Sequence, residues 1–345
     1  MSSSSSKDNI YLSRKDKDES EQSFLPNPAT QRRPNNHPVS LIVAVIAFYF
    51  FISLSVVFLN KIIMSGSDFN YALFVTWYQL VVALVLLLIF AHLGRTNKTF
   101  SIIPPYEFDQ EVAKKVAPLT IVYVLMLALN NLCLQYVEVT FYQVARSLSI
   151  NFTILFTYMI LGKTTSFPAL VACFIVFLGF AIGSYGEINF SWAGVIYGVG
   201  SSAFVALYGI YVQKTLAAVD NNQWKLLHYN TTLAIIFLFP LVLFSGELSE
   251  IWATSDAIYD LGFWALMTFT GITGFGINIA MFLQVKYTSA LTNTICGTAK
   301  ACVQTVLAVM IFRNPISGMN AVGILLALSG SSYYGWVRYQ ERLSK

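Results

Sequence analysis

Charge is what this chain has least of. Only 11% of its 345 residues are Asp, Glu, Lys or Arg, against about 25% in a soluble domain. Cysteine appears four times, as Cys133, Cys173, Cys296 and Cys302, always inside apolar runs and never in CxxC spacing. That argues against a zinc site and a disulfide framework, and reads these thiols as small hydrophobes. Histidine appears three times, as His37, His92 and His228, and no acid converges with any of them. A membrane-embedded transferase would need such acid–base pairs, so an enzyme is disfavoured. Gly-x-x-Gly spacing at Gly271 and Gly274 suits close helix packing and is not a phosphate loop, so no cofactor is expected. What the chain does have is apolar sequence: 56% hydrophobic residues and a mean hydropathy of +0.62. These values predict an all-α polytopic membrane protein.

Residues 1–38 are Ser-rich, carry both signs of charge and are broken by Pro26, Pro28, Pro34 and Pro38. With no apolar core they read as a disordered tail, not a cleaved signal. Ten apolar segments long enough to span then follow, at about 39–59, 71–93, 116–135, 139–161, 166–185, 192–212, 226–245, 262–283, 288–311 and 318–337. An even count places both ends of the chain on one side. The loops on the tail side hold Arg95, Lys98, Lys114, Lys115, Lys163, Lys214, Lys225 and Lys286, and the tail 338–345 adds Arg338, Arg342 and Lys345. The opposite loops hold only Lys61 and Arg313, beside Asp68, Glu187, Glu247, Glu250, Asp256 and Asp260. The positive-inside rule therefore predicts cytoplasmic termini. The sequon at Asn97 then faces the cytoplasm, and the one at Asn189 faces the far side close to the membrane.

The chain also repeats itself. Val57-Phe-Leu-Asn-Lys61 returns as Ile210-Tyr-Val-Gln-Lys214, and Trp77-Tyr-Gln79 returns as His228-Tyr-Asn230. Cys133-Leu-Gln135 returns as Phe282-Leu-Gln284, and Tyr158-Met-Ile-Leu161 as Val309-Met-Ile-Phe312. The offset stays near 150 residues. Five spans per copy is odd, so the second copy (192–337) is predicted to lie inverted against the first (39–185). Inverted repeats belong to carriers that alternate access around a central site.

One segment, 289–311, is apolar enough to span yet carries Lys300 near its middle. A lysine at the bilayer centre costs roughly 2.5–3.5 kcal/mol on the insertion scale. Asn293, Gly297, Lys300 and Gln304 recur at i, i+4, i+7 and i+11, which is one helix face. The repeat maps them onto Tyr142, Arg146, Ser149 and Thr153. Arg146 and Lys300 are the only basic residues well inside the predicted membrane, and no acid lies at comparable depth. Two such cations suit an anion, and a phosphate-bearing ligand supplies one. The competing readings are structural: Lys300 bonding backbone carbonyls, and Arg146 tying helices together. Tyr229, Asn230 and Thr231 open the seventh segment, where an amide suits a nucleobase edge and a tyrosine can stack; interhelical hydrogen bonding is the alternative. Asn278, Asn130, Asn131 and Tyr49 are weaker candidates.

These residues resemble a known family. Lys300 within GTAKACVQTVLAV, the upstream YTSALT, and FYQVARSLS around Arg146 look like the GDP-fucose transporters, of the nucleotide-sugar and triose-phosphate translocator branch of the drug/metabolite transporter superfamily. The stretches LNNLCLQYV, AVDNNQWKLLHYN and SSYYGWVR support the likeness over about 40–340. Relatives that carry GDP-mannose use GALNK and FYNN motifs; here those positions read Gly297-Thr-Ala-Lys300-Ala and His228-Tyr-Asn-Thr231. Thr298, Ala299 and Thr231 depart from the mannose pattern while the guanosine-diphosphate elements remain. The resemblance implies an antiporter that brings GDP-fucose into the Golgi lumen in exchange for GMP. Another GDP-sugar or a phosphorylated sugar stays open. It assigns Tyr229, Asn230 and Thr231 to guanosine, and Gly297 and Lys300 to the diphosphate. The expected partners are these small anions and membrane lipid, not nucleic acid; a homodimer stays open.

Overall fold

Apolar runs that must satisfy their own backbone hydrogen bonds fold as helices, and the computed structural model is helical across every predicted segment. It describes residues 39–66, 69, 71–96, 103, 108–162, 164–187, 190–254, 256–287, 290–312 and 317–343. The predicted tail over 1–38 and the sequons at Asn97 and Asn189 lie outside the described residues. Twelve α-helices appear among the described residues: α1 (Val39–Gly66), α2 (Ala72–Thr96), α3 (Gln110–Tyr136), α4 (Val139–Ser147), α5 (Ser149–Leu161), α6 (Phe167–Tyr185), α7 (Trp192–Leu216), α8 (Gln223–Phe244), α9 (Glu247–Thr254), α10 (Leu261–Tyr287), α11 (Ala290–Phe312) and α12 (Gly318–Leu343).

Local chemistry sets several of these boundaries. Asp109 caps α3 by accepting from Glu111 N at 2.8 Å, and Asn222 caps α8 by accepting from Trp224 N and Lys225 N. Gly162, at φ 65°, closes α5 in the left-handed conformation that costs glycine least.

Among the described residues, seven helices are long and apolar enough to cross a membrane, lying within α1, α2, α3, α6, α7, α8 and α10. The three remaining predicted spans differ for visible reasons. The fourth, predicted as one helix over 139–161, is broken at Leu148 into α4 and α5. There the Leu148 N–H reaches Ala145 O and Arg146 O, and Ser147 Oγ donates back to Val144 O, a back-bonding pattern that bends helices. The ninth, α11, has a shorter apolar stretch, Ala299–Phe312. The tenth, α12, mixes glycine and serine with a charged end.

Several packed pairs of helices recur at the sequence offset. Under the shift of about 150 residues, α1, α2, α3 and α6 correspond to α7, α8, α10 and α12. The contact of α3 with α7 is matched by that of α10 with α1, and α2 with α10 by α8 with α3. The pairs α2–α8 and α6–α12 are each packed against their own counterpart. In the α6–α12 pair, Gly179 meets Ala327, Gly183 meets Gly323, and Gly330 meets Val176, so the two helices run antiparallel. Glycine is required here. A Cβ on Gly323 would lie 2.8 Å from Gly179 O and closer still to Gly183, whereas without one the backbones pack directly.

Tertiary bonds sort the helix ends into two sets. At one end, Asp109 N at the start of α3 donates to the Tyr229 hydroxyl near the start of α8, and Ser166 before α6 bonds Glu341 at the end of α12. At the other, Asn320 and Ser317 at the start of α12 bond Gly183 O and Gly186 O at the end of α6. Glu247 on α9 accepts there from Leu73 N and Phe74 N at the start of α2, at 3.2 and 2.7 Å. Burial raises the Glu247 carboxyl from its ordinary value, and the two backbone donors pull it back.

Lys61, predicted in a far-side loop, instead ends α1 buried, at 6% exposure. Its ammonium donates to Leu134 O and Val137 O at 3.0 and 2.8 Å, satisfying carbonyls at the end of α3. The largest apolar cluster gathers at this second end, where Phe69, Phe74, Val137, Phe141, Val242 and Phe263 meet. At the first end the core divides in two, around Leu119 and Tyr229 on α3 and α8, and around Leu87, Trp224 and Phe275 on α2, α8 and α10.

Candidate functional site: a polar centre joining the two halves

The break at Leu148 matters because it leaves Arg146 in the last turn of α4, the part of the fourth segment that packs on α11. Arg146 Nη1 donates to the Tyr142 hydroxyl at 2.8 Å, one turn back on the same helix, and that hydroxyl donates to Asn130 Oδ1 on α3 at 3.4 Å. The chain of bonds holds the guanidinium through groups that carry no charge, so its own charge is left unneutralised.

Lys300 lies across from it, in the middle of α11. Its Nζ donates to Ser53 Oγ on α1 at 2.7 Å and sits 5.9 Å from the centre of the Tyr49 ring. The cation therefore rests on a hydroxyl and the negative face of an aromatic ring. The helices that carry Arg146 and Lys300, α4 and α11, pack against each other. No carboxylate pairs with either cation among the described residues.

Space is available beside this centre. A Cβ built on Gly297, one turn before Lys300, would meet nothing within 4 Å. Arg146 is exposed although α4 is enclosed by α6, α7, α11 and α12, as expected of a side chain lining a cleft between helices. Two like charges held close and partly out of water repel each other and attract an anion strongly. Two linked phosphates carry charge opposite to that of two such cations.

The structure thus brings Lys300, Arg146, Tyr142 and Tyr49 together, with Gly297 open beside them. Asn293 sits on α11 with its side chain outside the described residues. Gln304, on the same face, is 1% exposed and its Nε2 has no partner among the described residues. Asn278 is satisfied within its own helix, donating to Gly274 O at 3.3 Å. Asn131, the weaker neighbour of Asn130, donates to Thr76 Oγ1 in a helix–helix contact.

The seventh-segment trio lies elsewhere. Tyr229 is 2% exposed, packs its ring on Phe108 at 5.8 Å and accepts from Asp109 N at 2.8 Å. Its visible work is to fix the start of α3. Asn230 and Thr231 are equally enclosed, and Asn230 Oδ1 has no partner among the described residues. Ser53 is the contributor that sequence reasoning missed. Its signal was slight: it stands four residues after Tyr49, on the same face of the first span.

The chain is similar to known transporters over most of its length. Residues 40–335 match the Triose-phosphate Transporter family. The chain is 52% identical over 303 residues to GDP-fucose transporter 1 of Dictyostelium discoideum, covering 88% of this chain and 82% of that protein. It is 39% identical over 305 residues to GDP-fucose transporter 1 of Mus musculus, covering 87% and 84% of the two chains. It is 36% identical over 306 residues to the Golgi GDP-fucose transporter of Drosophila melanogaster, covering 87% and 90%.

Proposed function

Because the chain belongs to the Triose-phosphate Transporter family, we propose that it is a nucleotide-sugar antiporter that carries GDP-fucose into the Golgi lumen and returns GMP. The observation that carries this reading is that Arg146 on α4 and Lys300 on α11, one cation from each half of the chain, stand on helices that pack together, with no carboxylate paired to either among the described residues. The diphosphate binds there, beside the open side of Gly297. The guanosine role falls to Asn230 and Thr231, with Tyr229 holding α3 in place. Asn230 Oδ1 is the acceptor left for a base edge. Asn278 on α10 and Asn293 on α11 are assigned to the same ligand.

In this reading the membrane is crossed ten times, by α1, α2, α3, the broken α4–α5 pair, α6, α7, α8, α10, α11 and α12, with both termini cytoplasmic. The matched packing pairs and the two sets of helix ends support two inverted five-span halves. The end sealed by the large apolar cluster then faces the lumen, and the end whose core is divided faces the cytoplasm. The cleft is poised to receive cytoplasmic substrate. Two unneutralised cations are costly to carry empty through the low-dielectric centre, so either anion must occupy them before the halves rock. Exchange follows from that requirement.

The test is exchange by the purified protein in liposomes, with labelled GDP-fucose outside, GMP inside, and a competing panel of GDP-mannose, UDP-sugars and sugar phosphates. Uptake that depends on internal GMP and yields only to guanosine nucleotides supports the reading. Preferential inhibition by a sugar phosphate would move the assignment to a phosphorylated sugar.

A further inference from the structure

Lys300 belongs to the second half of the chain, yet what holds it belongs to the first. Ser53 and Tyr49 stand four residues apart on α1, hence on one face, and both address the same ammonium. Ser53 is 4% exposed, while Lys300 is only half-buried. The hydroxyl is thus walled into α1, and the ammonium it binds borders the cleft.

The chemistry of the acceptor is informative. A carboxylate at this position would neutralise the cation and compete with an anionic ligand. A hydroxyl accepts one of the three ammonium N–H bonds and leaves the charge intact. The Tyr49 ring face does the same from another direction. What the two groups remove is freedom: a lysine side chain has four rotatable carbons, and an unheld ammonium would sample many positions in an open cleft. Being 247 residues from Lys300 in sequence, Ser53 also ties the ammonium to the other half of the molecule.

We propose that Ser53 is a positioning residue: it anchors the Lys300 ammonium at the anion site in the orientation that meets phosphate, without touching the substrate itself. This rests on the reading of Lys300 as a phosphate ligand. Anchoring through one charge-assisted hydrogen bond, worth about 1.5–3 kcal/mol, corresponds to at least a roughly tenfold change in affinity.

The test is equilibrium binding of labelled GMP to purified full-length wild type, Ser53→Ala, Ser53→Thr and Ser53→Val, with thermal unfolding of each ligand-free protein. Ser53→Ala should weaken GMP binding at least about tenfold, and Ser53→Thr should stay within about twofold of wild type. The Thr and Val variants share a shape and differ by the hydroxyl, so they give the same comparison if the Ala variant fails to fold. A role in packing alone would lower ligand-free stability and leave affinity unchanged, or would leave Thr and Val equal in affinity; either result overturns the proposal. If wild type binds GMP while the variants match it, Ser53 is excluded and the substrate reading stands. If wild type binds inorganic phosphate but not GMP, the nucleotide reading fails and phosphate titration of the same variants decides Ser53. Binding of neither overturns both.

Discussion

At the crossing of α6 and α12 glycine lets two backbones pack directly, and this makes a prediction whose size can be read from distances. Replacing Gly323 by alanine adds a Cβ only 2.8 Å from Gly179 O, and nearer than that to Gly183 N and Cα. Ordinary carbon–oxygen contacts start at about 3.3 Å, so the helices must part by half an ångström or more. Neither neighbour can yield by rotating a side chain, because both contacts are backbone. Overpacking of this kind costs about 1–3 kcal/mol, only partly offset by the helix preference of alanine, about 0.5–1 kcal/mol. Gly297→Ala is the matched control, since its Cβ would meet nothing within 4 Å. It receives the helix benefit alone. Thermal unfolding in detergent should therefore move in opposite directions, down by several degrees for Gly323→Ala and level or slightly up for Gly297→Ala. Equal midpoints for the two variants would refute the assigned packing.

Other outcomes follow from single contacts. Lys61→Ala leaves Leu134 O and Val137 O without their buried donor and should lower stability by about 1–3 kcal/mol, read by chemical denaturation. A surface-loop lysine would show no such loss. Tyr229→Phe removes the acceptor for Asp109 N and should cost about 1 kcal/mol of stability while changing GMP affinity less than twofold. Lost binding at unchanged stability would instead place Tyr229 on the substrate. Because burial raises the Glu247 carboxyl above its ordinary 4.5, the folded state holds that proton more tightly than the unfolded chain. The associated stability is present below about pH 4.5 and is lost as pH rises through the raised value. Glu247→Gln should flatten the decline that sets in above about pH 4.5, and an unchanged pH profile would contradict the half-buried position.

Much of the helical layout was legible because apolar runs are long and the loops between them are short. The sequence offset of about 150 residues pointed from Lys300 to Arg146, and the helices that carry them, α4 and α11, pack together. The break at Leu148 was not legible, since Ser147 and Ser149 read as ordinary members of a span, and whether serine bonds back to its own helix is decided by packing. Lys61 was misplaced because a basic residue near a span end resembles a loop residue. Its partners are carbonyls 73 and 76 residues away. Ser53 was hidden for the same reason: a lone serine in an apolar helix is silent until the fold brings a lysine to it. Tyr229, a motif position, also carries a structural bond to Asp109 N that no motif records.

The central claim is that Lys300 receives the phosphate of an exchanged anion. The most direct measurement is GMP/GMP counterflow by purified wild type and Lys300→Ala in liposomes, with thermal unfolding confirming that both are folded. The account predicts loss of counterflow in the folded variant. Exchange of GMP by Lys300→Ala at the wild-type rate would contradict it.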